Sequence, residues 1–135
     1  MKPRYRAWMK SLKWMCDVTN ISFDSKFVDI CQQGDTERYT EMSVEFDEIT
    51  LMQSTGLFDR NGKEIFEGDI LDYRGRKALV RWHGSYASFI YRFVDELQNR
   101  NTEWKPLYLA YMKCEIIGNI YENPELLEDI KCTQK

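Results

Sequence analysis

Between residues 55 and 73 the chain is punctuated by three glycines, Gly56, Gly62 and Gly68, with Asp59, Asn61 and Asp69 beside them. No other feature restricts the fold as tightly. Asn61-Gly62 readily supplies the positive φ angles that a tight hairpin turn needs. It therefore joins a strand ending at Leu57-Phe58 to one at Glu64-Ile65-Phe66. Glu67-Gly68-Asp69 forces a second sharp turn before Ile70-Leu71-Asp72-Tyr73, and Arg74-Gly75-Arg76 makes a third. A strand follows over residues 77–83, and Gly84-Ser85 turns into another over residues 86–93. Strands this short, with turns this close together, describe a strongly bent antiparallel meander.

The same logic extends to both ends. Residues 4–8 and 13–16 form a hairpin around 9–12, with Tyr5 and Ala7 alternating against Arg4, Arg6 and Trp8. Residues 21–23 and 26–30 form a second hairpin around Asp24-Ser25. From 32 to 48 the chain is polar and acidic, which reads as a surface connection re-entering the sheet near 43–46. Residues 95–100 have the composition of a short helix. Residues 113–117 read as a strand closed by Gly118-Asn119, and residues 123–128 as a helix start with Asn123 as cap and Pro124 in the first turn. The tail after Asp129 is expected to fray. The two N-terminal hairpins are weakly similar, and no other internal repeat is visible.

The order Gly68-Asp69, strand, tight turn, Val80-Arg81-Trp82 strand is similar to the opening of a small SH3-like barrel, a superfold that carries no function by itself. The expected fold is mostly β: a bent antiparallel meander closing into a small SH3-like barrel, with N-terminal hairpins and one or two short helices. It is read as a single domain over 1–135. A subdivision, if present, separates an N-terminal hairpin region (1–31) from a barrel-like core (46–130), with the boundary in the acidic stretch 32–45.

The totals exclude more than they assign. A chain of 135 residues buries about two thirds of its unfolded surface, enough for a core without staples. Four tryptophans, eight tyrosines and seven phenylalanines suit strands and flat contact surfaces. The net charge of −3 is too small to name a partner. Cys16, Cys31, Cys114 and Cys132 are too far apart for a Cys-x-x-Cys metal or redox motif, and His83 is the only histidine. The first residues carry charges where a signal peptide needs an apolar run, and no stretch has the length of a membrane span. An intracellular protein, in the cytoplasm of a bacterial host, is expected, with no membrane partner.

Three groups of residues together resemble one family. Arg6-Ala7-Trp8 with Lys13-Trp14-Met15 is similar to the basic-Phe-Arg-Ala-Trp opening of the YopX family. So are Leu51 to Leu57 running into Asp59, Asn61 to Ile65 and Glu67 to Ile70, and the stretch from Ile117 to Leu126. Met9 stands where the family commonly has aspartate. The resemblance implies a mostly β protein of phage or prophage origin with no established activity, and it brings no catalytic, cofactor or metal residue with it.

One segment has the composition of a binding face. Residues 73–94 contain Arg74, Arg76, Lys77, Arg81 and Arg92, interleaved with Tyr73, Trp82, Tyr86, Phe89, Tyr91 and Phe93. Cations neutralise phosphates and aromatic faces stack on bases, so nucleic acid is one candidate partner. Alternation along 86–93, however, sets Ala87, Phe89, Tyr91 and Phe93 on one face, which favours the core for most of these rings. The basic residues Lys2, Arg4, Arg6, Lys10 and Lys13 answer the acidic stretch at 35–48, within the molecule or across a subunit contact.

Signals for chemistry are weak. Glu64, Glu67 and Asp69 are better explained by turn geometry than by a metal, and Asp59 to Gly62 lacks the remaining ligands of a calcium loop. No phosphate loop, metal motif or nucleophile motif is present. The expected function is therefore that of a non-enzymatic phage or prophage accessory protein that binds protein, a host or phage partner or a second copy. Trp8, Trp14 and unpaired sheet edges are the contact candidates. The alternative is a nucleic-acid-binding module built on residues 73–94. No cofactor is expected.

Overall fold

A computed structural model describes residues 4–98 and 104–128. It divides into two compact units, Met1–Ser54 and Thr55–Lys135.

In the first unit, β1 (Tyr5–Met9), β2 (Trp14–Ser22), β3 (Phe27–Gln32) and β4 (Met42–Glu45) follow one another as antiparallel neighbours. A short 3₁₀ helix, Phe46–Glu48, then leads into β5 (Ile49–Phe58), which returns to pair with β1, Ile49 opposite Met9 and Gln53 opposite Tyr5. The order is β4-β3-β2-β1-β5. Period-two alternation brings Ala7, Met9, Cys16, Val28, Ile30, Val44 and Ile49 together as the core. A register shift between Val18 and Asn20 bends the β2–β3 pair.

β5 outruns this unit. Beyond Ser54 it continues into the second, where its neighbour is β6 (Glu64–Phe66). The division thus falls inside a strand, and residues 32–45 hold the end of β3, the β3–β4 connection and β4.

The second unit repeats the path. β7 (Asp69–Tyr73), β8 (Arg76–His83), β9 (Ser88–Phe93) and the two-residue β10 (Lys105–Pro106) form an antiparallel meander. Two 3₁₀ helices, Leu107–Leu109 and Tyr111–Lys113, precede β11 (Cys114–Asn119), which pairs with β7. The order β10-β9-β8-β7-β11 has the connectivity of the first unit strand for strand. This structural repetition has no counterpart in residue-by-residue similarity, which is why the sequence shows none. Its core holds Ile65, Leu71, Ala78, Val80, Tyr91, Phe93, Leu107, Ala110 and Cys114.

Four expectations need correction. No closed barrel is found: the first strand of each unit pairs with the last, but the fourth does not, so each sheet stays open. In the second unit the fourth strand is only two residues long and starts at Lys105-Pro106, and proline has no N–H to offer a ladder. Tyr86 and Ala87 belong to the turn, not to β9, and Ala87 has φ 48°. All described helices are 3₁₀, including Val94–Glu96 and Pro124–Leu127, because none is longer than four residues. Finally, Asn123 does not cap its helix; its Oδ1 accepts the Asn119 N–H at 3.2 Å. The expected helix over 95–100 and the tail after Asp129 lie partly or wholly outside the described residues.

The glycine-punctuated block and the Ile117–Leu126 stretch meet. The buried Asp59 accepts the N–H groups of Asn61 and Lys63 on Oδ1 and that of Ile116 on Oδ2, each at 2.9 Å. Asp69 Oδ2 accepts the Phe66 N–H at 2.8 Å. Gly68, at φ 89°, donates to Val80 O and accepts from Ile120 N. Asn119 Oδ1 accepts from Tyr121 and Glu122. These residues are turn architecture, which explains their specificity without invoking chemistry.

Candidate functional site

The five cations of residues 73–94 part company in the fold. Arg74 sits exposed at the β7–β8 turn at φ 52°, its guanidinium 5.9 Å from the Tyr73 ring centre. Arg76 is taken up internally: it bonds Asp95 at 2.8 Å, lies 3.6 Å from Glu96, and stacks 3.6 Å over the Phe93 ring. The Asp95 hydrogen bond, set against the cost of burial, raises its pKa further.

The other three share a face. Along β8, residues 77, 79, 81 and 83 point to one side and Ala78 and Val80 to the core. Leu79 lies opposite Arg92 and Arg81 opposite Ile90, so Lys77, Arg81 and Arg92 stand on the side away from that core. Lys77 Nζ donates to the Glu128 carbonyl at 3.3 Å. Arg81 is exposed and, among the described residues, in no ion pair. Arg92 lies 5.5 Å from the centre of the Trp104 ring. At the far end His83 stacks on the exposed Tyr86, centroids 4.2 Å apart and planes at 14°. The aromatics expected to interleave with the cations mostly do not: Tyr91 and Phe93 are buried, and Phe89 packs against the same core.

Trp8 and Trp14 are not brought together. Trp14 lies opposite Met9 and packs against the first unit's core, whereas Trp8 lies opposite Met15 and Thr50 on the other face of the sheet. Both are half-buried. The aromatic strands therefore do not form a common patch through these two rings.

A surface that sequence reasoning missed lies on the two 3₁₀ helices before β11. Leu107 and Ala110 are buried in the core, while Tyr108, Leu109 and Met112 are 61%, 69% and 69% exposed. The 3₁₀ period of three explains the split: 107 and 110 point in, and 109 and 112 stack outward one turn apart. The detectable signal was the run Leu107-Tyr108-Leu109-Ala110-Tyr111-Met112, six apolar or aromatic residues with neither strand nor α-helical period.

Several of the described groups able to do chemistry are occupied or muted. Burial, with Asp17 adding to it, pushes the Cys16 thiol up to about 11; burial, with Asp72 and Asp59 adding to it, does the same to Cys114. A nucleophilic thiol needs the opposite shift. His83 Nδ1 accepts the Tyr86 N–H at 3.4 Å, a turn contact. Glu45, Asp47 and Glu48 bring carboxylate oxygens within 4.8 Å of one another at the surface. Glu45 and Asp47 border an open cleft of about 360 Å³, lined also by Ser25, Lys26 and Phe46. The Glu48 carboxylate is already bonded to the Glu45 N–H at 2.7 Å, so this trio closes a 3₁₀ turn. Among the described residues no helix is long and apolar enough to cross a membrane.

The chain is similar to known proteins over nearly its whole length. The family model described as YopX protein matches residues 4–128. Among solved structures, the chain is similar to the crystal structure of protein EF1440 from Enterococcus faecalis, at 29% identity and a TM-score of 0.56. That match covers 95% of this chain and 99% of the other. No curated protein matches.

Proposed function

This chain belongs to the YopX family, and on that premise we propose that it is a non-enzymatic accessory protein that works by binding another protein. The observation that carries the reading is the outward trio Tyr108, Leu109 and Met112, held on a rigid base by buried Leu107 and Ala110. Exposed apolar groups scattered singly need no explanation, but Leu109 and Met112 one turn apart, with Tyr108 next to them in the chain, are a group of the kind that marks protein contacts. The muted thiols and the turn-bound histidine support a role without catalysis. The resemblance to phage and prophage proteins supports an origin there and a place of action in the bacterial cytoplasm.

The experiment compares the wild type with the double variant Leu109→Ser/Met112→Ser. Both residues are exposed, so the core is untouched. Sedimentation velocity reads self-association, and crosslinking with mass spectrometry reads other partners through residues 107–113. A contact made by the wild type and lost in the variant supports the reading; identical behaviour of the two proteins contradicts it.

A further inference from the structure

Given that residues 107–113 form a contact surface, we propose that their occupant is a second copy of this chain. That copy docks through the aromatic and acidic end of its first unit, at Phe23, Phe27, Phe46 and Asp47.

The repeated connectivity puts the two surfaces at equivalent points of the two units. In the second unit the 3₁₀ helices Leu107–Leu109 and Tyr111–Lys113 lie between the fourth strand, β10, and the closing strand, β11. In the first unit the 3₁₀ helix Phe46–Glu48 lies between β4 and β5. One backbone route thus carries two different surfaces.

Their charges are opposite. Residues 104–113 contain Lys105 and Lys113, both exposed, and no acid. Phe46–Glu48 and the residues beside it carry the exposed Asp24, Glu45, Asp47 and Glu48 against Lys10 and Lys26. Lys10 Nζ is engaged by the Asp47 carbonyl at 3.2 Å, and the Glu48 carboxylate by the Glu45 N–H at 2.7 Å. Asp47 itself is exposed and in no ion pair among the described residues.

Both surfaces are apolar at the centre. On the first unit Phe23 is 63% exposed and Phe27 42%. Phe23 stands edge-on to Phe46 with ring centres 5.9 Å apart, and Phe27 lies opposite Glu45 across the β3–β4 pair. Phe46 and Asp47 line the open cleft of about 360 Å³. Met112 suits such a cleft, because a flexible thioether packs well against aromatic rings. Lys113 beside it then meets Asp47. An apolar centre with rims of opposite charge is the pattern of a specific protein contact, and this chain carries both halves.

Sedimentation velocity on the full chain tests this with variants at exposed positions, which leave the core untouched; far-UV circular dichroism verifies the fold. The wild type is expected to self-associate as concentration rises. Lys113→Glu and Asp47→Lys should each weaken self-association about tenfold, and the two together should restore it with the signs exchanged. Leu109→Ser/Met112→Ser removes the patch and Phe23→Ser/Asp47→Lys removes the docking end. Each of these should stay monomeric alone, and an equimolar mixture should form a heterodimer through the one intact contact. A mixture that stays monomeric, or a charge exchange that restores nothing, overturns the proposal. If Phe23→Ser/Asp47→Lys self-associates like the wild type, the second copy docks elsewhere: the proposal falls and the contact reading of residues 107–113 stands. A monomeric wild type that crosslinks a different protein through residues 107–113 leads to the same conclusion. A monomeric wild type without that crosslink overturns both.

Discussion

The Asp59 carboxylate accepts the Ile116 N–H at 2.9 Å across 57 residues of sequence, and with Asn61 and Lys63 on its other oxygen it fastens the hairpin turn at 59–63 to β11. One buried acid thus joins two blocks that are far apart in the chain and adjacent in the sheet.

Replacing that acid should cost more than any surface change. Asp59→Ala leaves three backbone donors without their acceptor, and a loss of about 3 kcal/mol is expected. Asp59→Asn keeps one acceptor oxygen and should lose about half as much. Urea denaturation of both variants measures the difference.

Acid should act at the same place. Burial alone would raise the Asp59 carboxyl, but the N–H bonds from Ile116, Lys63 and Asn61 outweigh it and hold its pKa below the ordinary carboxylate range. A pKa depressed by folding contributes stability that is complete above the unfolded value of about 3.9 and fades as pH falls through the folded value. Thermal midpoints should therefore drop below about pH 4, and less steeply in Asp59→Asn than in the wild type.

Three glycines should respond to alanine in three ways. At Gly118 a Cβ would meet Asn123 Oδ1 at 2.6 Å and Leu126 Cδ1 at 2.8 Å, and Asn123 is held by its bond to Asn119. Gly118→Ala should lose about 2 kcal/mol. Gly62 has open space but φ 81°, so Gly62→Ala should lose about 1 kcal/mol to backbone strain. Gly84 has neither obstacle, and Gly84→Ala should stay within about 0.5 kcal/mol of wild type. Denaturation midpoints rank the three.

Arginine at the β7–β8 turn costs stability that another residue would recover. Arg74 and Gly75 both have positive φ, 52° and 87°, the geometry that favours Asn-Gly. Arg74→Asn should stabilise by about 0.5 kcal/mol. Arg76→Ala should cost about 1 kcal/mol or less, since its ion pair with Asp95 is 44% and 42% exposed. Thermal unfolding of the two variants should move in opposite directions.

Much of this was legible because short strands announce themselves through their turns. Asn61-Gly62, Gly68-Asp69 and Gly75 place three reversals within a residue or two of where they occur. The β2–β3 hairpin was equally readable. Residues 49–56 were not seen as strand, because the length of β5 comes from pairing with β1, a long-range contact with no local signal. The 3₁₀ helices before β11 escaped for a related reason: a period of three over six residues resembles neither strand nor α-helix. The basic segment could be read as composition only. Which side each arginine takes is set by register, and Arg76 was lost to Asp95 and Glu96, which lie 19 and more residues onward. Trp8 and Trp14 show the same limit, since their opposite faces follow from a hairpin turn that leaves Met9 paired with Trp14.

The central claim is that this protein acts by contact through Tyr108, Leu109 and Met112. The most direct measurement is sedimentation velocity across a concentration series, on wild type and on Leu109→Ser/Met112→Ser, with crosslinking mass spectrometry on the same samples. The account predicts that the wild type forms a defined complex, with itself or with a second protein, crosslinked through residues 107–113, and that the variant remains folded and loses it. A wild type that stays monomeric and makes no crosslink there, or a variant that keeps the same complex, would contradict the account.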